Sequence, residues 1–101
     1  MTMIKVCGIK TNRDVEYVNE LMPDYVGFVF AASERRVSIE QVLKMRNYIN
    51  KDIKVVGVFV DENIDNVIES AYMSKLDVIQ LHGVEDIDYI KYIEKSINVE
   101  I

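Results

Sequence analysis

Residues 54–81 have the sequence KVVGVFVDENIDNVIESAYMSKLDVIQL, and this stretch indicates the fold class. It begins with a short β-branched and apolar run at residues 54–60 and closes with a second run at residues 77–81. Between the two runs, apolar residues recur at the spacing of an amphipathic helix: Ile64, Val67, Ile68 and Ala71. Two apolar strands joined by a helix predict a βαβ unit, in which the strands are parallel and the crossover is right-handed.

The same alternation extends over the rest of the chain. Further strands are predicted at residues 4–7 and 25–30, a loop at 31–37, a last helix at 86–96 and the start of a fifth strand at 99–101. Two more helices present inward stripes, which are Val15, Val18, Leu21 and Met22, and then Ile39, Val42, Leu43, Met45 and Ile49. The pattern predicts a single α/β domain over residues 1–101, with about four βα units.

Two of the predicted helices carry start signals. Thr11 is followed three residues later by Asp14, and Ser38 by Gln41, which is the spacing of a capping box. Pro23 follows the first helix and cannot continue it. These signals predict helices that begin after Thr11 and after Ser38.

Composition excludes several classes of function. The net charge of −5 argues against general binding to nucleic acid or to anionic membranes, because both depend on clustered cations. Cys7 is the only cysteine and His82 the only histidine, so an internal disulfide and a structural zinc site are not expected. The apolar runs are too short to span a bilayer, and no signal-peptide pattern precedes the first strand. We expect a protein of the reducing cytoplasm.

Periodicity alone leaves the architecture open. Alternating strands and helices suit a doubly wound open sheet with helices on both faces, and they suit equally a barrel with all helices outside. In either architecture the ligand meets the carboxyl ends of the strands. A ligand site is therefore expected among the residues at the carboxyl ends of the strands: residues 7–10, 31–36, 61–63 and 80–83.

Each polar residue at these positions has a functional and a structural interpretation. Cys7 is a base only as a thiolate, a form that a neighbouring cation such as Lys5 stabilises, but a lone strand cysteine is more often a small buried hydrophobe. Arg36 suits bidentate binding of a carboxylate or phosphate, although most loop arginines are solvated charges. His82 is a ligand donor or a loop anchor. Asp61 is a catalytic acid or a helix-capping turn residue.

Four motifs together resemble the phosphoribosylanthranilate isomerases in order and spacing. They are KVCGIK at residues 5–10, GFVF at 27–30 followed by residues 33–38, VGVFV at 56–60 and IQLHG at 79–83. The resemblance implies the N-terminal half of a TIM (β/α)8 barrel and an aldose–ketose isomerisation in tryptophan biosynthesis, without metal or organic cofactor. The expected substrate is a small phosphorylated molecule, N-(5-phosphoribosyl)anthranilate.

The resemblance also assigns roles to individual residues. Cys7 matches the family's general base, and Arg36 matches the residue suited to hold the anthranilate carboxylate. Lys5, Gln80 and His82 match ligand-facing positions at the ends of strands one and four. Ala31-Ala32 departs from the family's aromatic and proline-containing stretch, which puts the placement of Arg36 in question.

The family's general acid and its phosphate-binding loops lie on later strands that this sequence does not contain. We therefore expect a truncated barrel that is inactive or incomplete alone, because acid–base partners contribute about 10²–10⁴-fold each. Open edges at strands one and five predict a chain that self-associates, binds a complementary C-terminal half-barrel or is poorly soluble.

Two other interpretations remain at this point. The chain is a non-catalytic half-barrel remnant or folding fragment, with the same residues but no turnover. Alternatively, it is a receiver-like signalling domain that uses Asp61 after strand three as a phosphate acceptor. A receiver domain needs an acidic pair after strand one, where Cys7 and Gly8 stand instead.

Overall fold

Four parallel strands alternate with four helices in the computed structural model, which describes residues 3–101. The elements are β1 (Lys5–Cys7), α1 (Asn12–Leu21), β2 (Tyr25–Val29), α2 (Ile39–Arg46), β3 (Lys54–Phe59), α3 (Ile64–Met73), β4 (Val78–Leu81) and α4 (Ile87–Ser96). This order confirms the predicted α/β class and its four βα units.

The order of the strands in the sheet is β1-β2-β3-β4, so each strand pairs with its neighbours in the chain. All pairings are parallel. A receiver-like doubly wound sheet has the order 2-1-3-4-5, with β1 inside the sheet. Here β1 is an edge strand, so the receiver interpretation is wrong.

All four helices pack against one face of the sheet. A single hydrophobic core contains side chains from every helix together with strand residues of one alternation, Val26, Phe28, Val55, Phe59 and Ile79. Phe28, Phe59 and Ile79 are at most 1% exposed. Because all four helices lie on this side, the opposite face of the sheet carries no helix formed by residues 3–101.

We call that opposite side the open face. Its residues follow from the strand register and the alternation of side chains along each strand: Lys5, Cys7, Tyr25, Gly27, Val29, Lys54, Val56, Val58, Val78 and Gln80. Val56 and Val58 are buried on it, although they lie outside the helix-side core. Lys5 and Cys7 are exposed. The open face therefore has an apolar centre, with polar side chains on β1 and also on β4.

Both predicted capping boxes are present. Thr11 Oγ1 accepts from the Asp14 amide at 3.2 Å, and the Thr11 amide donates to Asp14 Oδ2 at 3.1 Å. Ser38 and Gln41 make the same reciprocal pair at 3.2 and 2.8 Å. These bonds satisfy backbone amides that no helical carbonyl can reach, which is why the two helices begin at the expected residues.

Some predicted boundaries and inward residues are wrong. Leu21 and Met22 are 51% and 45% exposed, because α1 ends at Leu21 and Met22 turns away in a left-handed conformation with φ of 52°. α2 ends at Arg46 and not at Ile49, although Ile49 is still buried in the following turn. Val60 lies beyond β3 and is 45% exposed.

The predicted fifth strand appears as a single parallel bridge beside β4. Glu100 pairs with Val78, and the Ile79 amide donates to the Glu100 carbonyl at 2.8 Å. Residues 99–101 thus continue the sheet in chain order on its β4 side.

Replacing Asp14 with asparagine should lower stability in a pH-dependent way. The Lys10 amide, and then the amide and hydroxyl of Thr11, donate to this carboxylate and hold its pKa below the ordinary value of 3.8. A lowered folded pKa means that the stabilisation is present above the unfolded pKa and is lost as pH falls through the folded pKa. We expect Asp14→Asn to lose about 0.5–1 kcal/mol at neutral pH, and much less at an acidic pH well below 3.8, where the folded carboxyl becomes protonated.

Urea denaturation at both pH values measures this difference. Glu20→Gln is the matched control, since it neutralises an exposed carboxylate at the other end of the same helix. An equal loss for Asp14→Asn at both pH values would show that its charge is not the cause.

Candidate functional site

Cys7 is the last residue of β1, and its side chain is exposed on the open face. Opposite it in the register stands Gly27, where a Cβ would approach Cys7 Sγ to 2.9 Å. Gly27 also holds the turn that follows Cys7, because its carbonyl accepts from the Gly8 and Ile9 amides at 2.9 and 3.2 Å. Because Gly27 has no side chain, the Cys7 thiol has room on the open face. The sequence motif did not indicate this contact.

Lys5, Gln80 and His82 form one hydrogen-bonded chain across the open face. Lys5 Nζ donates to Gln80 Oε1, and Gln80 Nε2 lies 3.0 Å from His82 Nδ1. Three strand spacings of about 4.8 Å separate β1 from β4 in a flat sheet. A direct bond between Lys5 and Gln80 therefore requires the sheet to curl strongly towards the open face.

The hydrogen bonds between Lys5, Gln80 and His82 predict the tautomer of the His82 ring. The Gln80 oxygen accepts from Lys5, so the amide nitrogen, which only donates, faces His82 Nδ1. The neutral ring must then accept at Nδ1 and carry its proton on Nε2. We expect ¹⁵N spectra at a pH where the ring is neutral to show one tautomer, with an unprotonated Nδ1.

The Gln80→Leu variant should give a mixture of both tautomers. Lys5→Met is the companion variant, since it leaves the amide in place but releases it to rotate. His82 is the only histidine in the chain, so its ring signals are unambiguous. A protonated Nδ1 in the unaltered chain would contradict the proposed orientation of the amide.

Arg36 lies apart from these three hydrogen-bonded residues, in the loop between β2 and α2. Its backbone forms a parallel bridge with Val29, and its amide donates to the Ser33 carbonyl at 3.2 Å. The side chain lines a groove of about 510 Å³ with residues of α2 and α3, whereas Lys5 and Gln80 line a different cavity. The structure therefore brings Lys5, Gln80 and His82 together and leaves Arg36 beside a separate groove.

Glu62 is an acidic residue that lines this groove together with Arg36. The Asn63 amide, the Asn66 side chain and the Arg36 charge, in that order, hold the pKa of Glu62 below its usual range. Glu62 is therefore a carboxylate at neutral pH, and it partly offsets the positive charge of Arg36.

The Arg36 loop is attached to the loop that follows Cys7. Lys10 Nζ donates to the Glu34 carbonyl at 2.7 Å, and Gly8 has φ of 83°, a conformation that L side chains rarely adopt. A Cβ on Gly8 would contact Arg35 Cγ at 3.5 Å. Despite the unusual Ala31-Ala32 pair, these contacts connect the β2–α2 loop to the end of β1.

Asp61 adopts a turn conformation, with φ of 46°, and Asn63 is the N-cap of α3. The Asp61 carboxylate accepts from the Val84 amide at 2.7 Å in the next loop. Its role in the structure is therefore to join two loops beside His82, a role that its position in the sequence did not indicate.

Neither a metal group nor a membrane helix is found among residues 3–101. Within that part of the chain, no three His, Cys, Asp or Glu side chains come together as metal ligands would. None of the helices described there has the length and apolar character of a membrane span.

Comparison with known proteins identifies the family. The family model for N-(5'phosphoribosyl)anthranilate (PRA) isomerase matches residues 4–101. A relative of that name from Thermoanaerobacter sp. (strain X514) is 50% identical over 90 residues, which are 89% of this chain and 44% of the relative. One from Clostridium acetobutylicum is 45% identical over 104 residues, 98% of this chain and 51% of the relative.

Solved structures agree with the sequence comparison. The crystal structure of phosphoribosyl anthranilate isomerase from Thermotoga maritima has a TM-score of 0.89 at 34% identity, over 98% of this chain and 49% of that one. A second structure of such an isomerase, in complex with reduced 1-(o-carboxyphenylamino)-1-deoxyribulose 5-phosphate, has the same TM-score and identity and covers 98% and 52%. This chain spans about half the length of the relatives it matches. It belongs to the N-(5'-phosphoribosyl)anthranilate isomerase family.

Proposed function

We propose that this chain supplies the base-bearing part of an enzyme that converts N-(5-phosphoribosyl)anthranilate into its 1-deoxyribulose 5-phosphate derivative in tryptophan biosynthesis. The proposal rests on the exposed Cys7 thiol at the end of β1. This thiol lies on the same face as the hydrogen-bonded side chains of Lys5, Gln80 and His82. Family membership supports the choice of reaction.

The reaction is an Amadori rearrangement, and it needs a base and an acid. The acid protonates the ring oxygen as the sugar ring opens, and the base then removes the proton from C2. Cys7 is the proposed base, acting as thiolate. Its exposure and the space left by Gly27 permit a sugar carbon to approach Sγ. No organic cofactor or metal takes part in the proposed steps.

The proposed binding residues match the groups of the substrate. Arg36 would hold the anthranilate carboxylate, since a guanidinium binds carboxylates through two parallel hydrogen bonds. This assignment requires the Arg36 side chain to turn from its groove towards Cys7 when substrate binds. Lys5, Gln80 and His82 would contact the sugar from the opposite side of the open face.

The proposed architecture is the N-terminal half of a (β/α)8 barrel that forms one domain over residues 1–101. Sequential strand order and helices on one side are features of such barrels. The curl of the sheet, which the bond between Lys5 and Gln80 requires, supports closure of the open face into a lumen. A reducing cytoplasm suits its lone exposed cysteine.

The proposed partner is a complementary C-terminal half-barrel. It would pair with β1 at one edge and with residues 99–101 at the other, and it would supply the general acid and the phosphate site. Self-association of the chain, or low solubility, is the expected behaviour without that partner, because both sheet edges would remain unpaired. A stable, compact monomer in sedimentation would count against this expectation.

The second candidate is a non-catalytic half-barrel remnant or folding fragment. One observation favours it: the Asp61 carboxylate accepts from the Val84 amide and so joins two loops, which is a structural role.

The experiment is to measure isomerase turnover by loss of substrate fluorescence, first with this chain alone and then with the C-terminal half of the Thermoanaerobacter relative. We expect turnover only in the mixture. The C-terminal half alone is the control. A folded chain that gives no turnover in the mixture would favour the remnant.

A further inference from the structure

Two loops meet beside His82, and backbone amides of both donate to carboxylates. The β3–α3 loop covers residues 60–63, and the β4–α4 loop covers residues 82–86. The Val84 amide donates to Asp61 Oδ1 at 2.7 Å, so the first loop holds the second. The Asp61 amide donates to Glu85 Oε2 at 2.9 Å, so the second loop also holds the first.

Glu85 uses its second oxygen within its own loop. Its Oε1 accepts from the Gly83 amide at 2.9 Å. Two carboxylates thus accept hydrogen bonds from three backbone amides, and each loop holds the other. We call the pair Asp61 and Glu85 the carboxylate latch. Hydrogen bonds to a charged acceptor are stronger than those between neutral groups, so the latch resists opening of either loop.

The backbone at Asp61 gives independent evidence that this arrangement is specified. Asp61 has φ of 46°, and such a conformation is uncommon in residues other than glycine. It persists where surrounding contacts over-determine it. Aspartate and asparagine tolerate this region better than most residues, which fits the choice of residue here.

Gly83 shows how closely the two loops fit. A Cβ added there would stand 2.5 Å from Asp61 Cγ and 2.7 Å from Oδ2, much nearer than non-bonded atoms approach. Glycine at this position therefore allows the latch to close.

Tyr89, on α4, makes a second connection to the β3–α3 loop. Its hydroxyl donates to the Glu62 carbonyl at 2.7 Å and so ties α4 to the β3–α3 loop. Burial, and then the charges of Glu85, Glu62 and Asp61, raise the pKa of Tyr89 above its ordinary value of 10.0. Tyr89 thus joins the two segments at a second point, independently of the latch.

We propose that Asp61 and Glu85 are positioning residues that set the place of His82 at the carboxyl end of β4. His82 directly precedes the latched residues, and its own amide is held by the Phe59 carbonyl at 2.9 Å. The histidine is thus fixed on one side by β3 and on the other by the latch. The effect of this placement on catalysis rests on the proposed function. The hydrogen bonds of the latch, in contrast, can be measured without turnover.

Hydrogen exchange and His82 ring spectra of the complete 101-residue chain test the proposal. Asp61→Ala should speed exchange of the Val84 amide roughly ten- to hundredfold, because a bond to a charged acceptor is lost. It should also shift or broaden the His82 ring signals. Asp61→Asn keeps an acceptor oxygen and tolerates the turn, so it should restore most of the protection and the His82 signals.

Gly83→Ala and the double variant Asp61→Ala with Gly83→Ala complete the design. Gly83→Ala alone should open the latch, since the new methyl group collides with the Asp61 carboxylate. In the Asp61→Ala background that collision is gone, so Gly83→Ala should add little. Equal effects in both backgrounds would overturn the contact between Gly83 and Asp61 as the cause.

Two further results would overturn the proposal. Exchange of the Val84 amide that is unchanged in Asp61→Ala would show that the latch does not hold the loop. Faster exchange with unchanged His82 signals would show a latch that does not position the histidine. Failure of the mixed isomerase assay, with these NMR results intact, would instead reject the proposed reaction and leave the latch standing.

Discussion

Turnover of the mixed isomerase assay should fall by about 10²–10⁴-fold when Cys7 is replaced with alanine. The thiolate of Cys7 is the proposed base, and alanine cannot accept the proton from sugar C2. Cys7 is exposed, and its removal leaves no buried cavity, so the variant should fold and bind the C-terminal half as before. The measurement is the rate of fluorescence loss at saturating C-terminal half.

Cys7→Ser and Tyr72→Ala are the companion variants. Serine keeps the size of the side chain but is a much poorer proton acceptor than a thiolate, so it should also be almost inactive. Tyr72 is 72% exposed on α3, and its replacement should leave turnover near that of the unaltered chain. Turnover in Cys7→Ala within about threefold of the unaltered chain would remove Cys7 from the role of base, since general bases contribute far more than that.

Replacing Phe28 with alanine should lower the free energy of unfolding by about 3–5 kcal/mol. Phe28 lies in β2 and is completely buried in the helix-side core. Alanine loses the transfer free energy of the ring and leaves a cavity that the sheet and helices can only partly fill. Natural domains are stable by only about 5–15 kcal/mol, so this loss removes a large share of the stability of the chain.

Urea denaturation followed by circular dichroism measures the difference between the variant and the unaltered chain. Tyr72→Ala serves again as control and should change stability by at most about 0.5 kcal/mol. A loss below about 1 kcal/mol for Phe28→Ala would mean that the helix-side core is loosely packed.

The order of strands and helices and the starts of α1 and α2 followed from local signals in the sequence. The capping boxes at Thr11 and Ser38 specify where α1 and α2 begin, because both partners of each box lie within four residues. Helix ends were predicted less well. Ile49 remains buried after α2 has ended, so an inward apolar residue does not by itself prove that the helix continues.

The residues of the candidate site were predictable as a set, but their contacts were not. Cys7, Gln80 and His82 lie at or just after the carboxyl ends of β1 and β4, and parallel strands bring these ends to one edge of the sheet. The sequence did not show that Lys5 reaches Gln80, because this bond depends on the curl of four strands. Arg36 was predicted beside the same site, whereas its side chain lines a separate groove.

Two glycines make contacts that cannot be predicted from their neighbours in the sequence. Gly27 faces the Cys7 thiol across two strands, and Gly83 faces Asp61 across two loops. In both cases the partner is about 20 residues away in the chain. No spacing rule for a single helix or strand reaches so far.

The alternation of strands and helices, the helix starts and the family could all be predicted from the sequence, because they depend on short-range hydrophobic period, capping chemistry and motif order. The choice between a sheet covered on both faces and one covered on a single face could not be predicted without the fold. That choice depends on which strands pair, and β1 proved to be an edge strand beside β2. The carboxylate latch likewise exists only after pairing of β3 with β4 has brought Asp61 and Glu85 together.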